Sequence, residues 1–316
     1  MVIYLLVGLA LVVFGADYLV EGASSVARRA GLSQFVIGLT LVGMGTSAPE
    51  MVVSVLGALE GNGDIAVGNV VGSNIFNTLL ILGITAIILP IGISRTNRKR
   101  DIPVNIVVTL LLMLLGLGYT IFGIGEDGLS RIDGAILLGL FIVYMWISFT
   151  SGNREEDSGS QELKSHPVWL SVIMILGGLA ALVVGGRLFV DNATGIASNL
   201  GVSDKFIAIT ILAGGTSLPE LATCVAAAVK KKGQLALGNI IGSNIFNILL
   251  ILGTSAVIAP VSFNNINMVD MVTLSISALA LGTCIFVGKK NLLDRLDGAL
   301  FLLVWAAYMT YLIINL

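Results

Sequence analysis

The sequence predicts an all-α polytopic membrane protein: ten transmembrane helices in two inverted five-helix repeats, with N- and C-termini outside. Three observations predict it. The 316 residues are 56% hydrophobic and only 11% charged, with a mean hydropathy of +0.99, where a soluble domain carries about 25% charged residues. Apolar runs recur from end to end, many of about 20 residues, the length that crosses a hydrocarbon core of about 30 Å. Several phrases also occur twice, 170 residues apart.

Taken in order, the apolar runs give spans at 2–27, 34–59, 65–90, 102–124, 132–150, 168–198, 205–229, 234–260, 268–288 and 297–315. Their ends are set by charged or turn-rich breaks. The first run has no basic region or small-residue cleavage site ahead of it and reads as a retained helix. The polar stretch 152–167 divides the spans five and five. Residues 1–150 are thus a first repeat, 151–167 a cytoplasmic linker and 168–316 a second repeat. Pro49-Glu50 aligns with Pro219-Glu220, the block from Ala66 with the block from Ala236, and Pro90 with Pro260. A five-span unit ends on the side opposite its start, so the second copy lies upside down.

The charges agree with this topology. With the N-terminus outside, the inward loops hold Arg28 and Arg29; Arg95, Arg98, Lys99 and Arg100; Arg154 and Lys164; Lys230, Lys231 and Lys232; and Lys289, Lys290 and Arg295. The outward loops hold Arg131 and Lys205, while Arg187 falls inside a span. Inward loops of membrane proteins favour such an excess of Lys and Arg.

Two phrases carry the chemistry, GTSAPE (45–50) and GTSLPE (215–220). Proline lacks the N–H that would bond the carbonyl four residues back, so Pro49 is expected to strand the carbonyl of Gly45, and Pro219 that of Gly215. A stranded carbonyl beside two hydroxyls and a carboxylate is a set of hard oxygen ligands, suited to Na⁺, Ca²⁺ and Mg²⁺. In the next span Asn69, Ser73 and Asn77 recur every four residues and form one polar stripe, repeated by Asn239, Ser243 and Asn247. Gly68 and Gly72, like Gly238 and Gly242, make a small surface for close helix approach. Each buried carboxylate costs several kcal/mol; one Ca²⁺ or two Na⁺ would balance Glu50 and Glu220 together. The pair is built to need cations.

At these residues the chain resembles the cation/Ca²⁺ exchanger superfamily, and most of all its prokaryotic Na⁺/Ca²⁺ exchangers. The resemblance covers essentially the whole chain, with the two specific motifs, the alpha repeats, at 36–90 and 206–260. It implies ten helices, an ion site built from the second, third, seventh and eighth, and movement of the first and sixth to alternate access. It also implies a residue set. Glu50 and Glu220 match the central carboxylates. Thr46 and Thr216 match ligands through carbonyl and hydroxyl oxygens, and Ser47, Ser217, Ser73 and Ser243 match positions flanking the sodium sites. Gly43 and Ala213 match backbone-carbonyl ligands, and Asn77 and Asn247 a facing pair. The chain departs at Asn247, where sodium/calcium members often carry aspartate. The hydroxyls of GTS favour the sodium branch over proton-coupled relatives, which typically have Asn-Ala there.

The function so implied is antiport of Na⁺ for Ca²⁺ across the plasma membrane of a prokaryote, with Ca²⁺ expelled by inward Na⁺. The ions and the lipid bilayer are the expected partners, with no cofactor, nucleic acid or obligate protein. H⁺- or K⁺-coupled exchange and, in a different class, a cation channel stay open. An enzyme would need a nucleophile, base or metal pair; Glu50 and Glu220 are the only carboxylates deep in the expected core, and the single histidine, His166, lies in the linker. Cys224 and Cys284 lack metal-ligand spacing and read as small hydrophobes. Asp17, Glu21, Arg187 and Asp191 fall at matching positions of the first and sixth spans and read as helix-end or packing groups, with gating contacts as the alternative. Arg131 to Gly134 and Arg295 to Gly298 read as helix starts, and Glu155, Glu156 and Asp157 as solvated linker.

Overall fold

The computed structural model describes residues 1–123, 127–150, 166–201, 213–263, 266–286 and 291–315. The charged linker 151–165, Lys205, Lys289 and Lys290 lie outside the described residues. The fold is built mainly of helices: α1 (Val2–Ala30), α2 (Gln34–Thr46), α3 (Ala48–Leu59), α4 (Gly63–Ile88), α5 (Ile102–Gly116), α6 (Arg131–Thr150), α7 (Val168–Asn199), α8 (Leu218–Val229), α9 (Gly233–Ile258), α10 (Met268–Phe286) and α11 (Arg295–Ile314). Among the described residues seven helices are long and apolar enough to cross a membrane, eight if α2 and α3 form one bent span. The expected fourth span is shorter than read: α5 ends at Gly116, followed by a short helix at Gly118–Phe122.

Local chemistry explains the ends. Gly31 closes α1 in the left-handed region at φ 65, with Arg28 and Arg29 in the last turn beside the negative end of the helix dipole. The two helix starts expected from sequence are present. Asp133 accepts from the Ser130 N–H at 2.8 Å, and Asp294 and Asp297 cap α11 reciprocally. Beside these starts the guanidinium of Arg131 donates to Ile258 O, and that of Arg295 to Ile87 O, each tying one half to the other.

The helices α4 and α9 form the centre, α9 being almost wholly enclosed. Glycine brings α2 and α9 into backbone contact: a Cβ on Gly38 would meet Leu235 O at 2.3 Å, and one on Gly238 would meet Phe35 O at 2.2 Å. Gly242 abuts Leu39 in the same way. The expected mirror contact at Gly68 and Gly72 falls on residues outside the described set, 205 and 209, which match Phe35 and Leu39. No described atom comes within 4 Å of a Cβ built at either glycine.

On the flank α1 and α7 pack along their length. Gly8 meets Gly185, Gly15 meets Gly178 and Gly22 meets Ser171. The numbers rise on one helix as they fall on the other, so these equivalent helices run antiparallel. Two-residue strands bridge the halves elsewhere, β1 (Ile91–Gly92) pairing with β4 (Leu292–Leu293), and β2 (Gly128–Leu129) with β3 (Val261–Ser262), both antiparallel.

Candidate cation site

The two repeated phrases form matching breaks. α2 stops at Thr46, Ser47 takes φ −82 and ψ 9, and α3 departs at 49°. Ser217 does the same at φ −86 and ψ 5 before α8. This corrects the role expected of proline. Pro49 and Pro219 stand at the start of a new helix, where a missing N–H costs nothing. The Ser47 N–H donates to Gly43 O at 3.0 Å, and Pro49 has no N–H to offer Gly45 O. What each break does is aim the first turn of α3 or α8, and with it Glu50 or Glu220, into the centre, where both are 1% exposed.

There each carboxylate is held by the other half. Ser47 Oγ donates to Glu220 Oε1 at 3.0 Å, and Ser217 Oγ donates to Glu50 Oε1 at 3.3 Å. Ser73 adds a 3.5 Å contact to Glu50 Oε1. Ser243 Oγ lies 2.9 Å from Ser47 Oγ and donates to Gly43 O at 3.4 Å. Thr46 Oγ1 lies 3.1 Å from Val42 O and 3.2 Å from Asn239 Oδ1. The stripe expected on the third span therefore faces the phrase it was read with. Its first member, Asn69, donates to Glu50 O at 3.1 Å and to Ser54 Oγ at 2.9 Å. Its counterpart Asn239 donates to Cys224 Sγ at 3.2 Å.

Asn77 and Asn247 sit where α4 and α9 widen into π-helical turns, Phe76–Ile81 and Asn247–Leu252. Such turns concentrate at functional sites because they re-aim side chains within a continuous helix. Asn247 Nδ2 donates to Asn74 Oδ1 at 2.9 Å, and Asn77 Nδ2 donates to Asn244 Oδ1 at 3.2 Å. Asn74 and Asn244 are fixed in turn, donating to Asn244 O at 3.1 Å and Thr78 Oγ1 at 2.8 Å. One N–H of each amide is thus engaged, while Oδ1 of Asn77 and of Asn247 has no hydrogen-bond partner. Sequence reasoning missed Asn74 and Asn244; their signal was there, since GSNIFN stands identically in both halves (72–77 and 242–247).

Among the described residues, the buried oxygens without a hydrogen-bond partner include four from the repeated motifs: Glu50 Oε2, Glu220 Oε2, Asn77 Oδ1 and Asn247 Oδ1. Leaving a buried polar group unmatched costs about 1–3 kcal/mol, more when charged. These four come from both halves, are all hard ligands and include two carboxylates. Among the described residues no group of three or more His, Cys, Asp or Glu is placed to hold a metal ion, so a cation bound here would meet two carboxylates and neutral oxygens. That donor set fits Ca²⁺ or Na⁺ and lacks the nitrogen and sulfur that select Zn²⁺ or Cu²⁺.

Thr216, half-buried, bonds Glu50 through its side chain and also lines a cavity of about 430 Å³ between α3, α7 and α8. Ala213 opens the short helix Ala213–Gly215, and only its backbone belongs to the described set. Arg187 and Asp191 also line the cavity. At the corresponding positions on α1, Lys230 Nζ lies 2.7 Å from Asp17 Oδ1 and 3.5 Å from Glu21 Oε2. His166 Nε2, to which sequence gave no role, is 2.9 Å from Glu21 Oε1.

Comparison with known proteins gives the same reading from another direction. Residues 1–150 and 170–314 match the family described as sodium/calcium exchanger protein. The chain is 39% identical over 315 residues to the putative antiporter CaxA of Alkalimonas amylolytica, covering 97% of this chain and 96% of that one. It is 33% identical over 340 residues to the sodium/calcium exchanger MaX1 of Methanosarcina acetivorans, covering 98% and 97%. A solved structure of the sodium-calcium exchanger NCX_Mj, soaked with 10 mM Na⁺ and 10 mM Sr²⁺, superposes with a TM-score of 0.84 at 36% identity, covering 98% of this chain and 97% of that one.

Proposed function

The chain belongs to the sodium/calcium exchanger family, and from that premise we propose that its Na⁺/Ca²⁺ antiport runs through the four unmatched oxygens of Glu50, Glu220, Asn77 and Asn247. The protein is a multi-pass membrane antiporter. The finer reading is ten spans in two inverted repeats, residues 1–150 and 168–316, with termini outside and a cytoplasmic linker. The antiparallel α1 and α7 and the loop charges support it. The membrane is the plasma membrane of a prokaryote, and Ca²⁺ leaves as Na⁺ enters.

The single observation that supports the site is that Glu50 and Glu220, both buried and each bonded by a serine of the other half, keep a carboxylate oxygen without a hydrogen-bond partner. Two carboxylates are neutralised by one Ca²⁺ or by two Na⁺, and the same oxygens cannot serve both loads at once. Competition for one site, exposed to one side at a time, makes transport an exchange. The hydroxyls of Thr46, Thr216, Ser47, Ser217, Ser73 and Ser243, with the carbonyls of Gly43 and Ala213, complete the ligand set. No cofactor takes part; Ca²⁺ and Na⁺ are the cargo.

Uptake of radioactive Ca²⁺ into Na⁺-loaded proteoliposomes tests this. We expect uptake that collapses when the Na⁺ gradient is removed. Glu50→Gln or Glu220→Gln should lower it at least about a hundredfold, since removing one charge from a buried set costs about 3–5 kcal/mol. Uptake driven by a pH or K⁺ gradient and indifferent to Na⁺ would replace this reading with a coupled rival. Ca²⁺ flux without any counter-ion would replace it with a channel.

A further inference from the structure

The repeat relation makes a prediction about charged residues outside the ion site. Adding 170 to a first-half number gives its counterpart, so Asp17 matches Arg187, Glu21 matches Asp191 and Glu60 matches Lys230. Lys230 caps α8 at φ −80 and ψ 8, and Glu60 caps α3 at φ −80 and ψ 0. The turns that follow repeat bond for bond. Lys232 N–H donates to Ala227 O at 2.7 Å and Asn62 N–H to Gly57 O at 2.8 Å; Lys231 N–H donates to Ala228 O at 2.9 Å and Gly61 N–H to Ala58 O at 3.1 Å. Side chains 230 and 60 thus leave their own half in the same way.

The two ends are nevertheless in opposite conditions. Where α1 packs along α8, Lys230 spans to Asp17 at 2.7 Å and to Glu21 at 3.5 Å, and Lys230 Nζ also donates to Asp17 O at 3.2 Å. Where α7 should pack along α3, the two are splayed and the 430 Å³ cavity lies between them, lined by Val52, Val53, Arg187 and Asp191. Among the described residues Glu60, Arg187 and Asp191 make no ion pair, and all three are exposed. One end is shut with a salt bridge and the other is open with its matching charges apart. At the open end the signs are reversed: an acid on the turn faces a base on the long helix.

We propose that Glu60 and Arg187 are the second latch, forming when the cavity closes and the Lys230–Asp17 bridge opens. In a transporter built of inverted repeats the two access states exchange the conformations of the halves, so the contact made at one end now is made at the other end later. The exchange of signs keeps each latch attractive. The latches are also unequal. Lys230 meets two acids, whereas Glu60 would meet Arg187 with Asp191 beside it, one attraction set against one repulsion. The charges therefore favour the state with the Lys230 end shut. This inference rests on alternating access but not on which ions are carried.

The test reads cavity closure directly, in purified protein in detergent. A thiol placed by Val52→Cys reports the cavity through its rate of modification by a hydrophilic thiol reagent; Cys284→Ser removes the accessible native thiol, while Cys224 is fully buried and stays. Adding Lys230→Gln should slow modification by up to about fivefold, the scale of a partly exposed ion pair, and the effect should fade in high salt. Adding Glu60→Gln or Arg187→Gln to Lys230→Gln should return the rate toward its starting value. The reversed pair Glu60→Arg with Arg187→Glu, added to Lys230→Gln, should keep it slow. A rate unmoved by Lys230→Gln, or one that stays slow after Glu60 or Arg187 is neutralised, overturns the proposal. Loss of Na⁺-driven Ca²⁺ flux with these modification rates intact would instead overturn the transport reading alone.

Discussion

Asn247 is the residue at which a single atom changes the site. Its Nδ2 donates to Asn74 Oδ1 at 2.9 Å and so turns Oδ1 inward. Asn247→Asp replaces that donor by an oxygen facing another oxygen, unless the new carboxyl carries a proton and restores the bond. We expect exchange to persist and its pH profile to steepen, the protonated acid imitating the amide and the ionised one adding a third negative charge. A profile superimposable on the parent would remove Asn247 from the site. Asn74→Ala should free the same amide to turn, weakening Ca²⁺ binding by roughly tenfold, the equivalent of one charge-directed hydrogen bond. Isothermal titration would show it; unchanged affinity would mean that Asn247 is oriented by something else. At this scale the carboxylates and hydroxyls were legible because charge in an apolar run has few explanations. Asn74 and Asn244 were not, because their position one step off the four-residue stripe makes sense only once the halves are seen to cross.

Among the elements, sequence located most of the long spans to within a few residues, since apolar length is what a bilayer demands. It did not reveal the π turns at Phe76–Ile81 and Asn247–Leu252, which depend on a hydrogen-bond shift that no residue type announces. It also put Pro49 inside a helix, where the structure has a helix start. The glycine contacts between α2 and α9 are the sharpest handle on stability. A Cβ at Gly238 would lie 2.2 Å from Phe35 O, a backbone atom that cannot step aside cheaply. Gly238→Ala should therefore destabilise the protein by about 1–3 kcal/mol, measured as a fall in melting temperature in detergent. Gly139→Ala, on an exposed helix face with no described atom within 4 Å of its Cβ, should have little effect. Alanine is the better helix former, so equal losses at both positions would show that the Phe35 contact does not set the cost.

For the whole molecule, the ion site means that stability and cargo are linked. Two buried carboxylates without cations strain the fold, and a ligand that binds only the folded state stabilises it by about 2.7 kcal/mol at a hundred times its Kd. Ca²⁺ should raise the melting temperature of the parent protein, and chelation should lower it. Glu220→Gln should abolish the rise while making the cation-free protein more stable than the parent. A variant that loses both ion response and baseline stability would point to a structural role for Glu220. The duplication itself was plain in the sequence, but which of the two ends stands open was not, because identical motifs cannot say which copy is relaxed and which is engaged.

The strands at Ile91–Gly92, Gly128–Leu129, Val261–Ser262 and Leu292–Leu293 stitch the first half to the second in two separate places, while α1 and α7 touch each other backbone to backbone through Gly8, Gly15, Gly178 and Gly185. A stitched block cannot shear without tearing its seams, whereas two rods joined by their own glycines can travel as one. In the proposed exchange the stitched block would be the stator and the paired rods the carriage, with the ions waiting in the one while the other slides past.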